Sequence, residues 1–239
     1  MSNSIFERHE VKYPVSDQQR RFLIQAMQER VTPDAHGEST ICNVYYDTPD
    51  FRLVRASLEK PVYKEKLRLR SYGPAAGQDV FLELKKKYKG IVYKRRISVP
   101  VREAEAFLRG EAPLSRDCQI GREIAYFLKF YGGLVPAMHL SYDRTAFFAK
   151  DDSDVRITFD RNIRWRTDEL SLMAQPGGAQ LLPPGRSLME VKVGAAMPLW
   201  LTELLDRGQI RRTSFSKYGS AYCALLQTES NETRGVYCA

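Results

Sequence analysis

Six short segments of this chain place charged or polar side chains at every second position, with mostly apolar residues between them. Side chains alternate across a β-strand, so residues two apart share a face. Arg8, Glu10 and Lys12 therefore share one face, and Lys64, Lys66, Arg68 and Arg70 another. Glu83 and Lys85 lie opposite Leu82 and Leu84, and Lys94 and Arg96 opposite Tyr93 and Ile97. Arg156, Thr158 and Asp160 oppose Ile157 and Phe159, while Glu190 and Lys192 oppose Met189, Val191 and Val193. For any one strand the ordinary reading is a charged face in solvent. Six strands with the same habit weaken it, because solvated strand faces mix Thr, Ser and Gln with their charges. Here Arg and Lys dominate, and such a face repels itself unless an anion fills it. Closing the sheet puts the charges inside a tunnel and leaves the apolar faces for helices to cover. The expected fold is therefore α+β: a closed antiparallel β-barrel of about eight strands forming a charged tunnel, with flanking helices.

The strands expected are 6–13, 40–46, 62–71, 80–88, 91–99, 139–148, 155–166 and 187–193. Tyr88-Lys89-Gly90 reads as the hairpin turn between the fourth and fifth. Ser16 with Gln19 forms a capping box, and the helix it opens runs to Arg30. Further helices are expected over 49–59, 103–109, 121–130, 199–206 and 216–226. The stretch from Gln175 to Gly185, rich in Pro and Gly, reads as the longest loop. No linker separates two domains, so residues 1–239 read as one domain.

Thirty-seven Lys and Arg against 29 Asp and Glu give a net charge of +8, which favours anionic partners without choosing among them. The four cysteines are scattered, with no C-x-x-C pair, which argues against a zinc site. His9, His36 and His139 have no metal-ligand spacing. Glu59, Glu65 and Asp79 read as surface charges, and Lys86 as pointing away from the charged face. No stretch approaches the ~20 apolar residues that span a membrane, and no signal peptide is evident, so a soluble cytoplasmic protein is expected.

A basic tunnel with a minority of carboxylates suits a linear phosphate chain, its oxygens held by Arg and Lys and its metal by Glu. A non-catalytic polyphosphate- or nucleic-acid-binding module is the competing class. Single-strand binders stack bases on aromatics along a basic groove. Tyr45, Tyr46, Phe51, Phe81, Phe147 and Phe148 do not interleave with the basic faces in that way, so no nucleic acid is expected.

The motifs ERHEVKY, YYDTPDF, LEKPVYKEKLRLRSYG, FLELKKKYKGIVYKRR, YDRTAF, VRITFDRN, LMEVKV and SFSKY occur in that order. Together they resemble the triphosphate tunnel metalloenzyme superfamily, and within it the catalytic domain of the vacuolar transporter chaperone (VTC) polyphosphate polymerases and their stand-alone bacterial relatives. The resemblance implies ATP as phosphoryl donor, polyphosphate as acceptor and product, and Mn2+ or Mg2+ as cofactor. It implies that Lys12, Arg68, Arg70, Lys85, Lys94, Arg144 and Arg156 bind phosphate, with Arg8 and Glu10 in the same lining. Glu190 would hold the metal, and Lys217 would sit near the transferring phosphate. The wider superfamily opens with E-x-E-x-K. Here Arg8 replaces the first carboxylate, a basic residue that the polymerase branch tolerates. Ser214 stands where the eukaryotic members carry a second lysine. A tripolyphosphatase or nucleoside triphosphatase, with water in place of the phosphate acceptor, has the same expected tunnel.

Overall fold

The computed structural model describes residues 9–75, 77–89, 91–152, 154–194 and 196–236, and side chains to 230. Arg8, Gly90 and Cys238 lie outside the described residues. The chain opens with β1 (His9–Ser16), α1 (Asp17–Ala26), β2 (Val31–Asp47) and α2 (Arg52–Leu58). There follow β3 (Tyr63–Tyr72), β4 (Asp79–Tyr88), β5 (Ile91–Pro100), α3 (Val101–Leu108), α4 (Gln119–Phe130) and β6 (Val135–Ala149). The last elements are β7 (Arg156–Arg166), β8 (Ala179–Gln180), β9 (Arg186–Val193), α5 (Leu199–Arg207) and α6 (Lys217–Val236).

The nine strands form one sheet in the order β1-β9-β7-β6-β2-β3-β4-β5, with β8 added to β7. The pairings of β1 with β9, β9 with β7, β3 with β4 and β4 with β5 are antiparallel. Among the described residues β1 and β5, the two ends of that order, are not paired with each other. The antiparallel sheet with flanking helices matches the expectation, and hydrogen bonds do not draw it into a closed barrel.

Register follows the alternation. Leu67 faces Leu84, and Leu69 faces Leu82, so the apolar faces of β3 and β4 coincide. A slip of one residue would set those leucines on the charged face, so burial on one side locks the pairing. The chain divides into two compact units. The first comprises Met1–Ile41, Tyr142–Ile163 and Leu182–Ser214. Its core packs Val15, Leu23, Met27, Ile157, Phe159, Met189, Val191, Leu201 and Leu205. α1 opens on the expected capping box: Ser16 Oγ accepts from Gln19 N–H at 3.1 Å, and Gln19 Oε1 accepts from Ser16 N–H at 2.9 Å.

The second unit comprises Cys42–Ser141, Arg164–Leu181 and Phe215–Ala239. α3 buries Val101, Ala104, Phe107 and Leu108, one helical face, and α4 buries Gly121, Ile124 and Phe127. Both stripes pack into a core with Leu67, Leu69, Leu82 and Leu84. In this unit the stretch read as a loop contains β8. Gly178 makes that pairing possible: a Cβ there would sit 2.2 Å from the Trp165 carbonyl oxygen, and its φ is +107°.

Four further expectations change. α1 ends at Ala26 rather than running to Arg30. β2 starts at Val31 rather than at residue 40, because its first half is mostly exposed and polar and carries no apolar alternation. α6 runs beyond Leu226 through a polar stretch with no apolar period. Glu65 is buried, not a surface charge: it shares the face of Leu67 and Leu69, and takes hydrogen bonds from Tyr63 OH and from Tyr131 OH at 2.9 Å. Lys86, its cross-strand partner, lies 3.7 Å away, turned from the charged face as expected. A buried carboxylate is costly unless its oxygens are hydrogen-bonded, and these donors satisfy them.

Candidate functional site

The charged faces of β3, β4 and β5 come into register in the second unit. Lys66 stands opposite Lys85, and Lys85 opposite Lys94, which makes a row of three lysines across three strands. Like charges directly opposite each other destabilise a sheet. In the next row Arg68 faces Glu83 and Glu83 faces Arg96, so there a carboxylate separates the cations.

Glu83 is 1% exposed. Its Oε2 accepts from Arg68 Nε at 2.8 Å and lies 2.7 Å from Arg68 Nη2 and 4.0 Å from Arg70 Nε. Its Oε1 lies 2.6 Å from Lys94 Nζ and 3.5 Å from Arg96 Nε. Burial pushes the carboxyl up, but Arg68, Arg70 and Lys94 outweigh it and hold the group at about 2. Lys94 is brought down to about 8, because burial and the two arginines outweigh the attraction of Glu83. Arg70 Nε also donates to Asn43 Oδ1 at 2.9 Å, and the Arg96 guanidinium lies 3.3 Å from the centre of the Phe81 ring. Four cations thus share one carboxylate, and that surplus is available to an anion.

Lys217 begins α6 and is buried. Ser216 just before it caps the helix, accepting from Gly219 N–H at 3.1 Å, and Lys66 Nζ donates to the same Oγ at 2.9 Å. The tertiary fold therefore brings Lys217, 151 positions from Lys66 by their numbers, to the end of the lysine row. Tyr45 also enters this cluster. Its hydroxyl accepts from Arg68 Nη1 at 3.0 Å, and its ring stacks on Tyr218 with centroids 4.4 Å apart. Burial pushes the Tyr45 phenol up, yet Arg68, Lys66 and Arg70 bring it down to about 8.

The first unit carries a second charged cluster, with signs more evenly matched. Lys12 stands opposite Glu190, and Glu190 opposite Thr158. Arg144 grips the buried Asp160 with two bonds, Nε to Oδ1 at 2.6 Å and Nη2 to Oδ2 at 2.7 Å. The same Nη2 lies 3.2 Å from Glu190 Oε2. Lys12 Nζ bridges Glu190 Oε1 at 3.4 Å and Glu10 Oε1 at 3.2 Å, and Lys192 lies 3.8 Å from Glu10. Arg156 is held by Asp34 at 3.1 Å and by the Phe148 ring at 4.9 Å. The Arg144 guanidinium also lies 5.2 Å from the centre of the buried Tyr142 ring.

Glu10, Lys12, Arg144 and Glu190 thus meet in one unit, and Arg68, Arg70, Lys94 and Lys217 in the other, with Lys85 placed by register. Asp160 and Tyr45 take part without having been singled out from the sequence. The signal for Asp160 was present in its alternation with Arg156 and Thr158. Tyr45 had none, because its partners come from β3 and α6. Among the described residues no three of His, Cys, Asp and Glu converge as a metal cage. The two carboxylate oxygens of Glu190 face Lys12 and Arg144. A cavity of about 420 Å³ in the second unit, lined by Tyr46, Glu105, Arg109 and Glu169 among others, shares no residue with these clusters.

Subunit 4 of the vacuolar transporter chaperone complex of Schizosaccharomyces pombe is 28% identical over 227 residues, covering 77% of this chain and 31% of that protein. The Trypanosoma brucei brucei subunit 4 is 24% identical over 280 residues, covering 94% and 35%. The chain therefore spans about a third of the length of these curated relatives. A putative adenylate cyclase from Bacillus halodurans shares the fold, with a TM-score of 0.54, 15% identity and coverage of 88% of this chain and 95% of that one. A putative adenylyl cyclase from Hippeastrum, described as having a dominant triphosphatase activity, superposes with a TM-score of 0.55 at 16% identity, covering 87% and 92%. The VTC domain model matches residues 7–226, nearly the whole chain, and the motifs that resemble it line the two charged clusters: the chain belongs to the VTC domain family.

Proposed function

We infer that this chain is a polyphosphate polymerase, transferring the γ-phosphoryl group of ATP to a growing polyphosphate chain. The observation that carries this reading is the row Lys66, Lys85 and Lys94 beside Arg68 and Arg70. Opposed lysines across three strands are a poor arrangement for a sheet and a good one for a chain of phosphates. The reading includes the closed tunnel expected from the alternation, and a cytoplasmic location. No helix among the described residues is long and apolar enough to cross a membrane.

Phosphoryl transfer asks chiefly for positioning and charge neutralisation. Arg68 and Arg70 would present planar forks to phosphate oxygens, and Lys66, Lys85 and Lys94 would spread over the remaining charge. Lys217, beside Lys66 at the head of α6, would meet the transferring phosphate. In the first unit Lys12, Arg144 and Arg156 would be phosphate contacts, with Glu10 between Lys12 and Lys192. Glu190 would hold Mn2+ or Mg2+ together with phosphate oxygens. Such an ion would supply charge neutralisation to the reacting phosphates. The test is incubation of pure protein with ATP and Mn2+, with products resolved on a polyphosphate gel. Long chains are expected; orthophosphate without chains would make the protein a hydrolase.

Phosphate affinity should fall at alkaline pH. Lys94 loses its proton and Tyr45 becomes a phenolate near pH 8, so one cation is lost and one anion appears beside Arg68. Between pH 7 and pH 9 tripolyphosphate should lose about tenfold in affinity for each proton it needs. Calorimetry on the wild type and on Lys94→Gln side by side cancels the ligand's own titration. A ratio of the two affinities that does not move with pH would remove Lys94 from the site.

A further inference from the structure

The geometry points to the stacked pair Tyr45 and Tyr218 as a positioning device that divides two tasks: Tyr218 fixes Lys217 for transfer, and Tyr45 fixes Arg68 for binding. The inference rests on the reading of Lys217 and Arg68 given above, and goes beyond it to residues with no assigned role. The rings lie 13° from parallel with centroids 4.4 Å apart, and both are buried. Their hydroxyls go to different partners. Tyr218 OH donates to Asp47 Oδ2 at 2.8 Å, and Tyr45 OH accepts from Arg68 Nη1 at 3.0 Å.

Asp47 is an anchor rather than a free acid. It is fully buried, and its Oδ1 accepts from Thr48 N–H at 2.9 Å and Leu53 N–H at 2.8 Å. Its Oδ2 accepts from Val54 N–H at 3.0 Å. The Phe51 position at the head of α2 supplies no side-chain cap, so Asp47 satisfies the first turn of that helix from upstream. The Tyr218 hydroxyl thus ties the first turn of α6 to a carboxylate already fixed by three backbone donors. Lys217 is the neighbouring residue, so its backbone moves with that turn. Gly219 closes the other side, where a Cβ would lie 3.0 Å from Leu58 of α2. At the Tyr45 hydroxyl, Arg68 is held between Tyr45 and Glu83, which sets the plane of its fork.

Phenylalanine keeps each ring and deletes one hydroxyl, so the two tasks can be separated. Tyr218→Phe should lower kcat about tenfold and leave KM for ATP within about twofold. Tyr45→Phe should raise KM about fivefold and leave kcat within about twofold. A second readout needs no turnover: the rate of reductive methylation at Lys217, followed by mass spectrometry against the exposed Lys129. It should rise several-fold in Tyr218→Phe and stay unchanged in Tyr45→Phe. Equal changes in kcat and KM in both variants, with Lys217 labelling unmoved, would make the pair ordinary core and overturn the proposal. If the wild type makes no polyphosphate yet the labelling separates as expected, the positioning stands and the polymerase reading fails. Should Tyr218→Phe not fold, a lowered kcat or faster Lys217 labelling in Tyr45→Phe is enough to overturn the division.

Discussion

Glu190→Gln should lower turnover at least ~100-fold while the protein stays folded. Glutamine keeps the size of the side chain and removes the charge proposed to hold the divalent ion. The neighbours explain why the fold survives. Arg144 keeps its two bonds to Asp160, and Lys12 keeps Glu10, so neither cation is stranded when Glu190 is neutralised. The cost of breaking a buried pair comes mainly from the partner left alone, and here no partner is left alone. Steady-state kinetics with Mn2+, paired with a thermal melt, check both halves. Activity within twofold of wild type would remove Glu190 from the metal role. A collapse in Tm would show instead that the carboxylate is structural.

Glu83→Ala should have the opposite signature, a large loss of stability. Glu83 is the carboxylate shared by Arg68, Arg70, Lys94 and Arg96, and removing it leaves those cations facing one another. Breaking a buried pair in this way costs about 3–5 kcal/mol. A domain of this size loses roughly 2–4 °C of Tm per kcal/mol, so a fall of about 10 °C is expected. Tripolyphosphate should restore more Tm in the variant than in the wild type, because phosphate oxygens replace the lost counter-charge. The pH dependence has a definite sign. The Glu83 carboxyl sits at about 2 when folded, against an ordinary value of 4.5. Its stabilisation is therefore present above pH 4.5 and lost as pH falls towards 2. The difference between the two proteins' melts should narrow from pH 5 downward and close only as pH approaches 2. A Glu83→Ala variant as stable as the wild type would mean the cations separate without it.

Much of the fold was open to a reading of local pattern. Each long strand appears where charged and apolar residues alternate, and each helix where apolar residues recur on one face. Two exceptions share one cause. The first half of β2 and residues 226–230 of α6 are exposed, so no burial imprints a period on them. β8 has two residues and depends on Gly178 approaching the Trp165 carbonyl, a contact no local pattern reports. Glu65 was misread by chemistry rather than by position. Alternation sets it with Leu67 and Leu69, and only the arrival of Tyr131 from the end of α4 shows how a carboxylate can stay there.

The charged faces divide the same way. The sequence alone determined which side of each strand Lys66, Arg68, Arg70, Lys85, Lys94 and Glu190 occupy, because the two-residue period of a strand is a property of neighbouring bonds. Only the tertiary structure decided which of them meet. Strand register aligned three lysines into one row and put Glu83 among four cations. The return of the chain carried Tyr218 across 171 positions to Asp47, and with it Ser216, next to Lys217, to Lys66. Such meetings depend on how long segments of chain pack and pair, and no period of two or of 3.6 residues encodes them.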